Sequence, residues 1–376
     1  MDWRRELMGG LSSGIDINNY LTIEALEDGL TASLNDNDCE YCIDGNDNWK
    51  SLTAGTATKS INAGHTLSFR GNLTPNITTG IGTFTISKKC NLLGNCMSIL
   101  FGDNVADNYS LSGKNYAFYK LFYNCANIVN VSENFLPATI LARSCYENMF
   151  CNCTSLTTAP SLPSMSLSQW CYVSMFAYCK SLIMAPKLPA ISLSIGCYIS
   201  MFTNCLSLIT APELPATVLT YQCYQDMFNY CKKLNYIKML ATDISISYCL
   251  SNWVSNVAST GTFIKNPAMT TLPTGSSGIP EGWTVVDDGE ESGESSLTFP
   301  ITLVKGDNGQ LGIDFFNYVR TNESVDFEED QVLVEGYSVA NAWYVPEIVT
   351  FTFYTEIPNL LVSNMSDDGS IIFATD

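Results

Sequence analysis

The chain has 376 residues, room for two or three domains, with 46% apolar residues and a formal net charge of −19. That acidity disfavours nucleic-acid binding, which needs a basic stripe to displace counterions. No apolar run reaches the roughly 18 residues of a membrane-spanning helix, so membrane insertion is not expected. The charge is uneven: residues 287–376 hold 18 acidic residues against Lys305 and Arg320, a net of −16.

Residues 1–19 read as a leader or docking peptide, in which Arg4, Arg5, Leu7 and Met8 suit one amphipathic turn. No apolar stretch follows its charges, so a secretory signal is not expected. Residues 20–81 read as a β-rich module. The segment 20–26 alternates roughly, Asp28-Gly29 turns the chain into 30–34, and 66–70 is a further strand. The Asx-rich stretches 35–38 and 44–48 read as turns. Residues 83–86 and 97–101 are apolar and strand-like, and suit a terminal capping coil that lacks the repeat motif.

A 26-residue repeat dominates the middle of the chain. Cys171-Tyr172-x-x-Met175-Phe176-x-x-Cys179-x-Ser181-Leu182-x-x-Ala185-Pro186-x-Leu188-Pro189 recurs, with Met-Phe at 149–150, 175–176, 201–202 and 227–228. Cys171, Met175 and Cys179 stand at i, i+4 and i+8, which predicts one face of a short helix. Residues 182–185 read as a short strand stopped by Pro186, which has no N–H to give a ladder. The expected architecture is multidomain. A leucine-rich-repeat solenoid over 82–286, with a short helix and a short parallel strand per coil, is flanked by two β-rich domains. Trp253-Val254 replace Met-Phe in the closing unit. Residues 287–296 form an acidic linker and 297–376 an acidic β domain, with strands expected at 297–304, 311–319, 331–334, 348–354 and 370–374.

Ten of the fifteen cysteines recur with the period: Cys125, Cys145, Cys153, Cys171, Cys179, Cys197, Cys205, Cys223, Cys231 and Cys249. Cys125 joins the series once two extra residues are allowed after it. Recurring positions are core positions, and a buried thiol behaves as a small apolar group. Reduced cysteines made in a cytoplasm are therefore expected, with disulfide staples between coils the lesser alternative.

The motif Cys-Tyr-x-x-Met-Phe-x-x-Cys-x-Ser-Leu-x-x-Ala-Pro-x-Leu-Pro-Ala resembles the BspA-type leucine-rich repeat of gut Bacteroidales and their crAss-like phages. The segments 20–30, 61–65 and 69–73 resemble the module that precedes such repeats, so the resemblance covers roughly 20–285. It implies adhesion to, or recognition of, surface molecules. The opening Trp3-Arg4-Arg5 resembles leaders of proteins encoded by these phages, which implies a virion protein made in the host cytoplasm.

Motifs for chemistry are sparse. His65 is the single histidine, so neither a Ser/His/Asp nor a Cys/His set is expected around it. Cys39-Glu40-Tyr41-Cys42 is a lone C-x-x-C, whose sulfurs face opposite sides if the segment is a strand. Asp36-x-Asp38 and Asp44-x-Asn46-x-Asn48 lack the EF-hand pattern, and the cluster Asp326, Glu328, Glu329 and Asp330 reads as a solvated acidic loop. A glycosidase needs two carboxylates facing one cleft, and Glu133, Glu147, Glu213, Asp226 and Asp243 fall in different units. No catalytic, cofactor or metal site is assigned.

Positions that vary between units are the candidates for ligand recognition: Trp170, Tyr178, Lys187, Tyr221 and Tyr230. Aromatic side chains supply contact area at small entropic cost. The expected function is a non-enzymatic phage virion component, a fibre or decoration protein. Its expected partners are other virion proteins and a host surface glycan or protein, and self-association suits a fibre. The alternative is a bacterial cell-surface adhesin of the BspA type.

Overall fold

A computed structural model describes residues 15–105 and 108–289 in full, and the backbone of the strands between 297 and 374. The leader's 1–14 and the acidic cluster at 326–330 lie outside the described residues. Backbone contacts divide the chain into two units, Met1–Gly289 and Glu290–Asp376.

The first unit begins with β1 (Leu21–Ala25), β2 (Ala32–Leu34), β3 (Cys39–Ile43), β4 (Lys50–Leu52), β5 (Thr66–Arg70), β6 (Phe84–Ile86) and β7 (Cys90–Leu93). Sequence neighbours β1 and β2 do not pair. β1 lies between β5 and β7 in antiparallel register, Ile23 opposite Leu67 and Leu92, while β2 pairs with β6. The next element, α1 (Ser98–Phe101), occupies the stretch that the apolar pattern predicts as a strand. Asn95 Oδ1 accepts from the Met97 amide at its start, and Gly102 ends it at φ 56°. Ser98 is fully buried because its hydroxyl donates to the Phe69 carbonyl and accepts from the Leu21 amide, both at 2.8 Å. Beyond it, β8 (Ile128–Val131) adds in parallel to β7, completing a six-stranded sheet in the order β4-β3-β5-β1-β7-β8.

The repeat region corrects the expected architecture. A leucine-rich-repeat solenoid with a helix in every coil does not describe this chain. The described residues are mostly sheet and turn, with several small sheets and only one short α-helix, α1. The Cys-Tyr-x-x-Met-Phe-x-x-Cys segments are runs of turns. Cys145, Glu147, Met149, Cys151 and Cys153 each donate to the carbonyl three residues back, at 3.1–3.4 Å. The alternate amides of Ser144, Tyr146, Asn148, Phe150 and Asn152 donate instead to Gln169, Cys171, Val173, Met175 and Ala177, at 2.8–3.0 Å. A helix would need every amide to reach the fourth residue back. Every fourth residue also has a positive φ, here Ser144, Asn148 and Asn152, which a right-handed helix cannot hold. Each segment thus satisfies its own amides partly within itself and partly on the next segment 26 residues on.

Stacking aligns like with like. Tyr146, Tyr172, Tyr198 and Tyr224 stack with centroids 5.8–5.9 Å apart. Phe122, Phe150, Phe176, Phe202 and Phe228 stack at 5.5–5.8 Å, their planes within 7° of parallel. Phe84 of β6 continues the phenylalanine column at 5.5 Å, which joins the N-terminal sheet to the first layer of turns. The two-residue insertion after Cys125 is absorbed between layers, so that Phe122 donates to Met149, 27 residues on. At the far end Trp253 receives both columns, with Tyr224 at 6.4 Å and Phe228 at 6.2 Å. Its indole N–H donates to the Gly278 carbonyl at 2.9 Å.

The expected parallel strands are reduced to single bridges, such as Met184 with Thr210 and Thr210 with Tyr236. An all-parallel sheet forms near the end of this unit, from β9 (Tyr236–Met239), β10 (Thr262–Lys265) and β11 (Thr284–Asp287). All fifteen cysteines are free and buried. Cys125, Cys153, Cys179, Cys205 and Cys231 each donate a thiol hydrogen bond, at 2.9–3.2 Å, to a phenylalanine carbonyl of the preceding layer or strand. The thiol fills a small apolar site and still meets a buried acceptor.

In the second unit the strands are β12 (Leu297–Lys305), β13 (Leu311–Ile313), β14 (Leu333–Val334), β15 (Tyr337–Ser338), β16 (Ile348–Phe353), β17 (Leu361–Met365) and β18 (Ile371–Ala374). β12 pairs antiparallel with β13 and β16, and β17 with β18. β15 and β17 have no counterpart among the strands expected from sequence.

Candidate recognition face

The turn runs present one set of side chains to the core and another away from it. Three columns take the positive-φ positions. The first is Tyr116, Ser144, Trp170, Gly196, Gln222 and Tyr248. The second is Lys120, Asn148, Ser174, Ser200, Asp226 and Asn252. The third is Asn124, Asn152, Tyr178, Asn204, Tyr230 and Asn256; all eighteen φ values lie between 50° and 64°. Tyr, Asn and Ser dominate these columns, as they do the adaptable loops of antibodies. The charged residues among them are Lys120 and Asp226.

Asparagine tolerates this backbone region at little cost, whereas a bulky side chain there is an outlier. Tyr178 and Tyr230, at φ 63° and 62°, stand in a column otherwise filled by asparagine. Each is 44% exposed, so burial does not offset the strain. Asn152 donates to Asn124 at 2.9 Å, while the Asn204 side chain makes no hydrogen bond within the described residues.

The other sequence candidates sit differently. Trp170 is half-buried: its ring lies over Gly196, where an added Cβ would come within 2.4 Å of Cδ1, and the Arg143 guanidinium stacks on it at 4.2 Å. Packing accounts for Trp170, and Gly196 is small because the indole covers it. Tyr221 is exposed and meets Tyr248 edge-on at 5.9 Å. Lys187 is exposed and makes no ion pair among the described residues. Glu213, its neighbour in the repeat column, pairs instead with Lys238 at 3.2 Å, and Lys238 also reaches Asp288 at 3.0 Å. Lys187 is therefore set apart from the aromatic columns in sequence and in layer position.

Sequence reasoning missed two features. Tyr248, at 61% exposure, extends the aromatic surface. On another edge Tyr109, Ile140, Met165, Ile191 and Val218 stand 50–71% exposed in successive layers, and exposed apolar rows mark interaction surfaces. The signal for the last four was an apolar residue two or three positions after each Leu-Pro.

Lys120 lies over Tyr119 at 4.9 Å and Tyr123 at 5.3 Å, and its pKa is raised chiefly by its bond to Tyr119. In the next layer burial pushes the Glu147 carboxyl above its ordinary range, against the lowering effects of Ser144, Lys120 and Arg143.

The chemical motifs resolve into structural contacts. His65 Nδ1 lies 2.8 Å from Asp44 Oδ2, and Asp44 Oδ1 also accepts from the Thr66 amide. Asp38 accepts from the Ala54 amide, Asn46 from the Asn48 amide, and Asp47 from the Trp49 indole. Burial raises the Cys39 thiol to about 12 and Cys42 to about 11, making both poor nucleophiles. A shallow cleft of about 330 Å³ is lined by residues including Asp38, Glu40, Ser51 and Arg70. Arg70 is engaged there by Glu40 at 2.8 Å, Asp103 at 2.9 Å and the Trp49 ring at 4.2 Å. Among the described residues, no group of three His, Cys, Asp or Glu is placed to hold a metal ion, and no helix is long and apolar enough to cross a membrane. Compared with protein families, curated proteins and solved structures, the chain gives no match.

Proposed function

We propose that this chain is a non-enzymatic recognition protein, carried on a phage particle as a fibre or decoration component and directed at a host surface. The observation that carries the recognition reading is the exposed pair Tyr178 and Tyr230. Both hold a costly backbone conformation that asparagine supplies in the other layers of their column, and neither gains burial in return. Strain that packing does not repay is a reason to look for function. A rigid stack behind these side chains favours binding, because little ordering entropy remains to be lost. The setting rests on the repeat motif's resemblance to BspA-type proteins and their phages, and fifteen free buried thiols suit assembly in a reducing cytoplasm.

Two measurements test the reading. Mass spectrometry of purified particles should find the chain in the virion. The fluorescently labelled full chain should adsorb saturably to host cells, and the double variant Tyr178→Asn/Tyr230→Asn should not. Recovery from bacterial envelopes alone would move the protein to the adhesin class. Equal adsorption by the double variant would remove the recognition role from this face.

A further inference from the structure

We infer that Tyr178, Asn204 and Tyr230 form a track for an extended, uncharged, β-1,4-linked glycan lying along the stack. This assignment rests on the recognition reading above and names its ligand class.

Three observations carry it. The first is spacing. Core rings of the three layers lie 5.8 and 5.7 Å apart, and hydrogen-bonded parallel segments repeat at about 4.8 Å, so equivalent atoms two layers apart are separated by about 10–11 Å. The disaccharide repeat of an extended β-1,4-linked glycan has this length, and in such a chain every second ring presents the same face. Tyr178 and Tyr230 recur every second layer, so each meets an equivalent sugar face.

The second is chemistry. Sugar rings offer C–H faces to aromatic planes and hydroxyls to amides. The column supplies two exposed phenol rings with Asn204 between them, its amide free to donate and accept. Asn152 and Asn256 continue the amide register on either side. The third is charge: no acidic or basic residue stands in this column, and in the neighbouring column the same layers hold Ser174, Ser200 and Asp226. The nearest cations in sequence are the exposed Lys180 and Lys232, each two residues past a ring and outside the column, so the column itself is a neutral track. A folded protein partner would need a broad, desolvated apolar centre, whereas this column alternates rings with amides.

The test uses the full chain with cellohexaose, chitohexaose and xylohexaose as linear β-1,4 probes and isomaltohexaose, an α-1,6 chain of different repeat, as the mismatch. Calorimetry should show saturable binding of at least one β-1,4 probe and none of isomaltohexaose. Tyr178→Asn and Tyr230→Asn should each weaken binding by about tenfold. The double variant Tyr178→Phe/Tyr230→Phe should retain it, since the rings make the contact. Asparagine already occupies four layers of this column, so these variants fold, as thermal unfolding will verify. Failure of every β-1,4 probe to bind, or undiminished binding by the asparagine variants, overturns the assignment. Adsorption to cells that survives periodate but not protease, and is still lost in the asparagine double variant, overturns the glycan while leaving the recognition reading standing. No adsorption to cells by the parent chain overturns the recognition reading itself.

Discussion

Phe176 and Tyr178 stand two residues apart on one turn run and answer to different constraints. Phe176 is fully buried, stacked on Phe150 at 5.6 Å and Phe202 at 5.8 Å. Tyr178 is exposed, at positive φ, in a column where its neighbours are asparagine. On the inner side the repeat is dictated by packing, since a ring must match the rings above and below it. On the outer side the backbone dictates a preference for asparagine, serine or glycine, and departures from it call for another explanation.

Four experiments sharpen or break this contrast. The largest effect should come from Phe176→Ala, which opens a gap in a continuous ring column and should cost about 3–5 kcal/mol. Urea unfolding measures it, and a loss under about 1 kcal/mol would remove the column as a source of stability. Next is alkali. Burial raises the thiols of Cys39, Cys125, Cys145, Cys223 and Cys231 from 9.0 to about 12. The folded chain therefore keeps protons that the unfolded chain releases. Stability is fully present below pH 9 and falls between 9 and 12, as the unfolded chain releases these protons first. A urea midpoint that stays flat from pH 8 to 10.5 contradicts this inward burial.

Gly196→Ala should cost about 1–3 kcal/mol, from the positive φ and from displacing the indole of Trp170. Tryptophan emission should shift to the red as that ring loses its cover; an unshifted spectrum would mean that the indole does not depend on Gly196. The smallest effect has the opposite sign. Tyr178→Asn should raise stability by up to about 1 kcal/mol, because asparagine relaxes the backbone and little burial is lost. Destabilisation would show that the tyrosine packs more than its exposure implies.

Much of the inner side could be read in the sequence. The 26-residue spacing of Tyr172, Phe176 and Cys179 reappears in successive layers, and Trp253, at the Met position of the closing unit, receives both ring columns. The local structure was misread because the core positions 145, 146, 149, 150 and 153 recur every four residues. A helix of 3.6 residues per turn fits that over so short a run. The distinguishing sign was on the other side: Ser144, Asn148 and Asn152, or Gly196, Ser200 and Asn204, place small or αL-tolerant residues every fourth position. The stretch 97–101 failed for a different reason. Its continuous apolar run reports burial alone, and only Asn95 and Gly102 mark a helix start and stop. At the proposed recognition face, sequence variation pointed to Tyr178 and Tyr230 but could not separate them from Lys187, because exposure and backbone strain are properties of the folded column.

The closure at Trp253 decides which backbone groups the last layer of turns leaves open. Each layer of turns offers the next a row of amides and carbonyls in a repeating register, so an open last layer would be a template for another copy's first, as the bare edge of a sheet is. Here that layer is occupied from within: the Asn252 amide donates to Ser277 Oγ at 3.0 Å, the Val254 amide to the Ser276 carbonyl at 3.2 Å, and the indole to Gly278. The segment around 273–279 thus satisfies, from within the same chain, amides of the last turn layer that the earlier layers satisfy on the next repeat.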